Sequence, residues 1–473
     1  MKLFIVLLTG AFMLATGTSD VFAKKKEKVQ TEAKSDTVQT VSKKRNTQYP
    51  RLFKNKRVVT KKGLITIHKI NDKLYFEFPK SLLGRDFLMG SSVSATSNNT
   101  SGLVGQTMTT PLHIRFAIQE DQIYMQNVTP VSRMDVYSNQ SDISRAVAKS
   151  NIAPNMESFK IAAYNMDSTA VVFEVTKFFL ADNKRLPLFD QHSASLEDEK
   201  YGKLELKAIL KKNLSSIRNF YVFDDNLEIN LDMSFYQSLL ANKREVRGGN
   251  VRVKAVYSML LLPEEVMTWR LGDPRLGYTY TKKQKISTEK DGTAFSYLQH
   301  KWNLLPTDKE AYRRGDLVAP RKPVLFYIDS DFPEAWKKAI KEGVNWWNEA
   351  FKMAGFKDAV QTADFPANDT TFYAGNLKYS CIRYVPVNLS KTQSKVWVDP
   401  RSGEIINGTI FVGHDIAKTI ASQRFVQTAQ VDERMRGIQL SEEALLEGIR
   451  LYVAREVGHC LGLADNASAS AAF

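Results

Sequence analysis

Cysteine is scarce in this chain of 473 residues, and a fold held together by several disulfides is therefore excluded. Only Cys381 and Cys460 are present; they could pair with each other in an oxidising compartment. The sequence also lacks a G-x-S-x-G elbow, a P-loop and a G-x-G-x-x-G turn. Serine hydrolases and nucleotide-binding enzymes therefore have no support here.

Long apolar runs are equally rare, and the one that exists lies at the start. "MKLFIVLLTGAFMLATGTSDVFA" has Lys2, an apolar run from Leu3 to about Ala15, and small residues before Ala23. This pattern predicts a signal peptide, residues 1–23, and export to the periplasm or the medium, where the protein could associate with the cell envelope. A signal anchor is the alternative, but the run is short for a membrane span. No later segment predicts a transmembrane helix, and no cysteine follows that could carry a lipid anchor.

The chain is basic, with 66 Lys and Arg against 51 Asp and Glu. These cations are dense only in "KKKEKVQ" and "KKRNTQYPRLFKNKR", and are otherwise spread out. The dense stretches are compatible with contacts to acidic polymers of the cell envelope. The spread of the other cations, together with export, argues against nucleic-acid binding.

The length predicts two or three domains, and 43% apolar residues are enough to fill their cores. Residues 24–48 are polar and predict a basic linker. Two β-rich domains are expected over 49–155 and 156–315, because apolar and polar residues alternate around short polar turns. Examples are "LITIHKINDKLYFEF", "HIRFAIQEDQIYMQNV" and "FKIAAYNMDSTAVVFEV".

A different pattern begins near Pro323 and defines a third domain, residues 316–473. "KPVLFYID" and "SCIRYVPV" predict buried strands, and "VDPRSGEI" a turn between two more. "DFPEAWKKAIKEGVNWWNEAFKMAGF" predicts one helix that Asp331 caps and Gly355 ends, with Trp336 and Trp347 in the core. The predicted fold class is thus α+β, with antiparallel β-rich domains followed by a mixed sheet with helices.

The last helix carries the most informative motif, "LYVAREVGHCLGLADN". Ser441 is its predicted N-cap, and Gly462 its predicted end, because glycine readily adopts the left-handed conformation that follows many helices. Positions 455 and 459 share a helix face, and the turn at Gly462 brings Asp465 back towards them. The spacing is that of H-E-x-x-H-x-x-G-x-x-H, with Arg455 and Asp465 in place of two histidines.

This segment resembles the active-site helix of metzincin-type zinc metallopeptidases. "KWNLLPTDKEAYRRGDLVAPRKPVLFYID", "EGVNWWNEAFKMAGF" and "YFEFPKSLLGRDFLM" are similar to a bacterial group of large exported zinc-dependent peptidases with domains of unknown function ahead of the catalytic part. The resemblance implies hydrolysis of peptide or protein substrates by zinc-activated water. It assigns Glu456 as general base, and His459 and Asp465 as metal ligands. The chain ends soon after Asp465, so the methionine-turn subdomain of metzincins is expected to be missing.

Arg455 departs most seriously from the family pattern, because a guanidinium has no lone pair to donate and stays protonated. At about 4 Å and an effective dielectric constant of about 20, it would repel a divalent ion by about 8 kcal/mol. We therefore predict that zinc binding is impaired and that Arg455 forms an ion pair with Asp465, which Glu456 could join. In the alternative, Arg455 points to solvent and Asp465 caps a loop.

The sequence leaves two further interpretations open. His414 follows the strand "GTIFVGHDI", which could form the edge of a substrate cleft, and His414 could be a spare ligand or an ordinary residue at a strand end. The protein could also be a non-enzymatic scaffold of the envelope that holds extended peptides by pairing with this strand or with the β-rich domains. The remaining histidines show no ligand spacing.

Overall fold

The structure of the protein is a computed structural model, which describes residues 48–97, 104–105, 109–132, 134–136, 141–189, 197–198, 202–286, 293–369, 372–386, 392–437 and 439–466. The predicted signal peptide and nearly all of the predicted linker lie outside these residues. All described residues belong to one compact unit. Within them, none of the helices has both the length and the apolar character needed to cross a bilayer.

The strands, in chain order, are β1 Val58–Lys61, β2 Thr66–Ile70, β3 Lys73–Pro79, β4 Phe87–Thr96, β5 Leu112–Gln119, β6 Gln122–Asn127, β7 Met134–Val136, β8 Asn155–Tyr164, β9 Ala170–Glu174, β10 Glu197–Asp198, β11 Gly202–Lys203, β12 Glu205–Leu210, β13 Ser216–Val222, β14 Asn226–Ala241, β15 Arg244–Leu261, β16 Tyr280–Ile286, β17 Thr293–Gln299, β18 Val324–Ile328, β19 Val360–Asp364, β20 Ser380–Val385, β21 Thr392–Val398 and β22 Ile405–Gly413. The helices are α1 Gln48–Phe53, α2 Thr129–Ser132, α3 Ser141–Ser150, α4 Thr176–Phe179, α5 Lys309–Arg313, α6 Glu334–Asn345, α7 Trp347–Met353, α8 Ile416–Thr428 and α9 Glu442–Cys460. Short 3₁₀ turns cover Lys80–Leu82, Lys212–Leu214 and Glu433–Met435.

A twelve-stranded antiparallel sheet makes up most of the N-terminal part. Its order is β1-β2-β3-β9-β8-β6-β5-β4-β15-β14-β12, with β13 also paired to β14. The three hairpins expected from sequence alternation are confirmed as β2–β3, β5–β6 and β8–β9. Their turns place Asn71, Glu120 and Ser168 at positive φ. The sheet combines strands from both sides of residue 155.

A five-stranded mixed sheet forms the C-terminal part, in the order β19-β18-β20-β22-β21. β18, β19, β20 and β22 run parallel, and β21 is antiparallel to β22. Helices α6, α8 and α9 cover one face through a core that includes Phe326, Ile340, Ile410 and Val453. The predicted α+β class is confirmed.

The edge of this sheet is not the strand that the sequence suggested. β22, which contains "GTIFVG", pairs with β20 on one side and β21 on the other, so the expectation of an edge there is wrong. The turn at Asp399–Gly403 folds β21 back onto the outer side of β22. Among the described residues β21 is therefore the edge strand next to α9.

The predicted helix after Asp331 also differs from the structure. It is divided into α6 and α7 at Trp346, and Asp331 does not cap it. Pro333 occupies the N-cap, where its ring fixes φ and its missing N–H costs no hydrogen bond, so the helix begins at Glu334. Gly355, at φ +86°, follows the end of α7 as expected. Trp336 is buried in the core, which confirms the structural role predicted for it.

Candidate active site

Helix α9 positions the motif as the sequence predicted. The Ser441 hydroxyl accepts a hydrogen bond from the Ala444 amide at 3.2 Å and caps the helix. Ile449, Val453 and Val457 are buried against the five-stranded sheet. This face fixes the rotation of the helix, so the side chain of Glu456 also points inward and is only 3% exposed.

Two tryptophans hold the C-terminal half of α9. The indole N–H of Trp347 donates to the Ala454 carbonyl, and that of Trp302 to the Cys460 carbonyl, each at 2.8 Å. The Cys460 carbonyl is one of the last four of the helix, which have no amide partner within it, and the bond from Trp302 satisfies it. Neither bond was predicted, since the sequence gives no signal for a contact between segments so far apart.

The chain turns sharply after α9 at Gly462, whose φ is +95°. A Cβ at this position would lie 2.3 Å from the His300 carbonyl oxygen, so the turn requires glycine for conformation and for space. The turn returns the chain towards the exposed end of the helix, as predicted, and brings Asp465 to Arg455.

Arg455 makes an ion pair with Asp465, and this prediction is confirmed. Its Nη2 lies 2.6 Å from Asp465 Oδ2, and its Nε 3.2 Å from Oδ1. Its third nitrogen, Nη1, donates to Glu456 Oε1 at 3.0 Å. The hydrogen bonds from Arg455 hold the pKa of Asp465 below its usual range. The alternative, with Arg455 turned to solvent, is wrong.

Glu456, the predicted general base, has a second hydrogen bond that sequence reasoning missed. The Thr392 hydroxyl, at the start of edge strand β21, donates to Glu456 Oε1 at 3.1 Å. One oxygen of this buried carboxylate thus accepts from both Thr392 and Arg455. The contact joins residues 64 positions apart, and only the placement of β21 at the sheet edge produces it.

His459, the predicted metal ligand, is held in one orientation. Its Nδ1 donates to the Leu463 carbonyl at 2.9 Å, which leaves Nε2 to accept or to bind a cation. Nε2 lies 3.9 Å from Asp465 Oδ1. His414 lies elsewhere: it is exposed, its Nδ1 is 2.5 Å from the Tyr384 hydroxyl, and its ring stacks on Trp336.

The two cysteines are buried and free. Burial raises the pKa of both thiols, so neither is a thiolate ligand at neutral pH. Cys460 packs against Gly408 of β22, where a Cβ would lie 3.0 Å from its sulfur. The pairing that the sequence left open is not formed, and Cys460 belongs to the core of the C-terminal part.

The residues present do not fit a zinc ion. Zinc in proteins takes three or four nitrogen, sulfur or oxygen donors. Here His459 supplies one free nitrogen, while both oxygens of Asp465 accept from a guanidinium that stands in the first ligand position. Among the described residues, no group of three or more His, Cys, Asp or Glu side chains could hold a metal. The arrangement of charges is that of a cation already bound between two carboxylates.

Comparison with known families agrees with the domain order that the sequence suggested. A domain of unknown function, DUF5118, matches residues 47–96, and a second, DUF5117, matches residues 105–307. A Met-zincin family matches residues 437–473, which include Arg455, Glu456, His459 and Asp465. No curated protein and no solved structure matches the chain. The Met-zincin match indicates a relationship to metallopeptidases, a family for which zinc and protein substrates are implied.

Proposed function

We propose that this protein is a metallopeptidase homologue that binds peptides but is impaired in zinc-dependent hydrolysis. The observation that carries the proposal is the position of Arg455, whose guanidinium contacts both Asp465 and Glu456. It supplies a positive charge at the place where the family motif would hold a metal.

Three physical effects support the proposed impairment. Arg455 stands where the family motif has a metal-ligating histidine, and it cannot ligate a metal because its nitrogens carry no free lone pair. Its charge would repel a divalent ion about 4 Å away by about 8 kcal/mol at an effective dielectric constant near 20. Its hydrogen bonds also occupy oxygens of Glu456 and Asp465, the side chains that the resemblance assigns as base and ligand.

Peptide binding is supported by the position of β21. No described strand pairs with its outer side, and extended peptides commonly bind by adding a strand to such an edge. Its first residue, Thr392, contacts Glu456. A peptide on this edge would therefore pass the ion-paired side chains Arg455, Glu456 and Asp465, called here the Arg455 cluster. The guanidinium is half-exposed and is suited to a peptide carbonyl or carboxylate.

The decisive experiment compares the purified protein with Arg455→His and Arg455→Met. We expect the wild type to contain little zinc by mass spectrometry and to leave peptides intact. R455H should gain zinc affinity by more than about tenfold, because it removes the repulsion and adds an imidazole donor. R455M is the matched control, which removes the charge without adding a donor and should gain much less.

Stoichiometric zinc in the wild type, or zinc-dependent peptidase activity that R455M abolishes, would contradict the proposal.

Peptide binding is measured separately by fluorescence anisotropy with labelled unstructured peptides. Wild type should bind them with zinc removed by a chelator. Gln393→Pro, at the start of β21, removes one N–H from this edge strand and should weaken peptide binding while the far-ultraviolet spectrum stays unchanged.

We also propose that the protein is exported. The support is the leader sequence, with its apolar run and the small residues before Ala23. N-terminal sequencing of the protein recovered from envelope and medium fractions should find Lys24 as the first residue. A chain that retains Met1 in the cytoplasm would overturn this proposal.

A further inference from the structure

A cavity of about 710 Å³ lies between the twelve-stranded sheet and the face of the five-stranded sheet that is opposite α9. Strands β4, β13, β14 and β15 line it on one side, and β20, β21 and β22 on the other. Alternation along β21 separates it from the Arg455 cluster: Thr392 and Val396 face α9, while Lys395 and Trp397 face the cavity. It is therefore a second site, with the sheet as a wall between the two.

The charged residues that line this cavity are unbalanced. Arg218, Lys254, Arg383 and Lys395 line it, whereas Glu228 is the one acidic residue among its described lining residues. Neither Arg383 nor Lys395 has a carboxylate within ion-pair distance in the part of the chain that the structure describes. Their close partners are aromatic: Arg383 lies 5.8 Å from the centre of the Phe411 ring, and Lys395 lies 5.1 Å from that of Trp397.

Glu228 does not neutralise these cations. It is 3% exposed, and the Tyr373 hydroxyl donates to its Oε1 at 2.6 Å. Burial raises the pKa of Glu228, although Tyr373 and the two cations act in the opposite direction. Burial also lowers the pKa of Lys395, to about 8. Both shifts favour the neutral forms, so the two groups do not behave as a strong ion pair, and an added anion would stabilise the charge on Lys395.

The cavity walls are flat and aromatic beside these cations. Tyr221 stacks on Tyr373 with ring centres 4.2 Å apart, and Trp397 and Phe411 lie on the opposite wall. Cavities of this size, with apolar walls and a few charged groups, are typical of small-molecule sites. Aromatic walls favour a planar ring, and two cations on the side formed by the five-stranded sheet, Arg383 and Lys395, favour an oxyanion.

We propose that this cavity binds a small organic oxyanion, in which a carboxylate or phosphate group contacts Arg383 and Lys395 and a planar ring lies between the aromatic walls. Anion binding here would depend on the charges and aromatic walls of the cavity, and not on whether the Arg455 site hydrolyses or binds peptides.

The test is isothermal titration calorimetry of the full chain with benzoate, phenyl phosphate and the neutral benzamide. We expect at least one of the two anions to bind at least about tenfold more tightly than benzamide, and the tighter one identifies the carboxylate or the phosphate source. Lys395→Met and Arg383→Met should each weaken the anion about tenfold or more, whereas Lys395→Arg should retain it. Lys338→Met, on the exposed side of α6, is the matched control and should bind like the wild type.

A second readout separates a direct contact from a fold defect. At pH 8 an anion beside Lys395 should cause proton uptake, because it raises a pKa that lies near that pH. The other titratable and charged side chains that line the cavity with Lys395 are Arg218, Tyr221, Glu228, Lys254, Tyr373, Tyr379, Arg383 and Tyr384. The binding heat of the wild type should therefore vary with the ionisation enthalpy of the buffer, and that of K395M should not. Binding of benzamide as tight as that of the anions, no binding of either anion, or equal buffer dependence in K395M would overturn the proposal.

Discussion

Lys395 is one polar position of a strand in the sequence pattern, but in the structure it lines the cavity between the two sheets. Its pKa of about 8 lies below the unfolded value of 10.5, because burial penalises the charge. Between these values the unfolded chain binds more protons than the folded one, so stability rises with pH from about 8 to 10.5. The neutral side chain of Lys395→Met avoids the penalty. We expect K395M to be more stable than wild type by about 1–3 kcal/mol at pH 7.

Urea unfolding at pH 7 and pH 10.5, followed by circular dichroism, measures this effect. The advantage of K395M should shrink at the higher pH, where the folded lysine is neutral and the unfolded one is about half charged. Lys338→Met is the control and should show no such change. An advantage that is equal at both pH values would mean that packing, and not charge, causes the difference.

At the scale of residues, local spacing predicted more than distant contacts did. The pair between Arg455 and Asp465 followed from helix periodicity and the glycine turn, which act within a dozen residues. The bond from Thr392 to Glu456 did not follow, because it depends on the order of strands in a sheet. The cavity cations were missed for the same reason: Arg383 and Lys395 lie on different strands, and both line the cavity only because β20 and β21 pair with the two sides of β22.

At the scale of elements, the crossing of α6 and α9 determines where Glu456 lies. Gly343 of α6 allows this approach, since a Cβ there would lie 2.5 Å from the Arg450 carbonyl oxygen. Alanine normally gains up to about 1 kcal/mol over glycine in a helix. Here we expect Gly343→Ala to destabilise the protein by about 1–3 kcal/mol, because a backbone atom cannot move away as a side chain can.

Chemical denaturation of Gly343→Ala beside Gly249→Ala checks this expectation. Gly249 is a suitable control because a Cβ at that position meets nothing within 4 Å. G343A should lower the free energy of unfolding, and G249A should not lower it. An increase in stability for G343A would show that the helices separate at little cost.

Elements with a strong local signal were predictable, and their arrangement was less so. Ser441, the apolar stripe of α9 and Gly462 define both ends of that helix and its buried face. The division between α6 and α7 has no such signal, because apolar residues continue through Trp346 and Trp347. The edge position of β21 was missed because "GTIFVG" and "SKVWV" both favour strands. Only their pairing partners decide which of the two is an inner strand of the five-stranded sheet.

At the scale of the whole molecule, the two large sheets share a core and a charge network. Trp397 of β21 packs with Leu88, Leu260 and Leu262 from the N-terminal part. The match to DUF5117 ends at residue 307 and that to the Met-zincin family begins at 437, so this contact joins the region between the two matches to the N-terminal sheet. Shared burial of this kind favours unfolding as one cooperative unit.

Arg401, in the C-terminal part, forms an ion pair with Asp86 of the N-terminal part. Removing its charge tests whether the two parts unfold together. Its Nη2 lies 2.7 Å from Asp399, whose side chain is fully buried, and its Nη1 lies 3.3 Å from Asp86. Burial alone would raise the pKa of Asp86, but hydrogen bonds from His113 and Arg115 hold it well below its usual range, so the carboxylate stays charged. Among the described contacts, Arg401→Met would leave the Asp399 carboxylate with one hydrogen bond, from the backbone amide of residue 401, and we expect a loss of about 3 kcal/mol. Arg321→Met, which removes only an exposed bond to the Pro306 carbonyl, is the control.

Far-ultraviolet circular dichroism and tryptophan fluorescence should give one coincident transition for the wild type, and a lower midpoint for R401M by both probes. A loss below about 1 kcal/mol would show that Asp399 is satisfied without its arginine and that the sheets are joined by apolar contact alone.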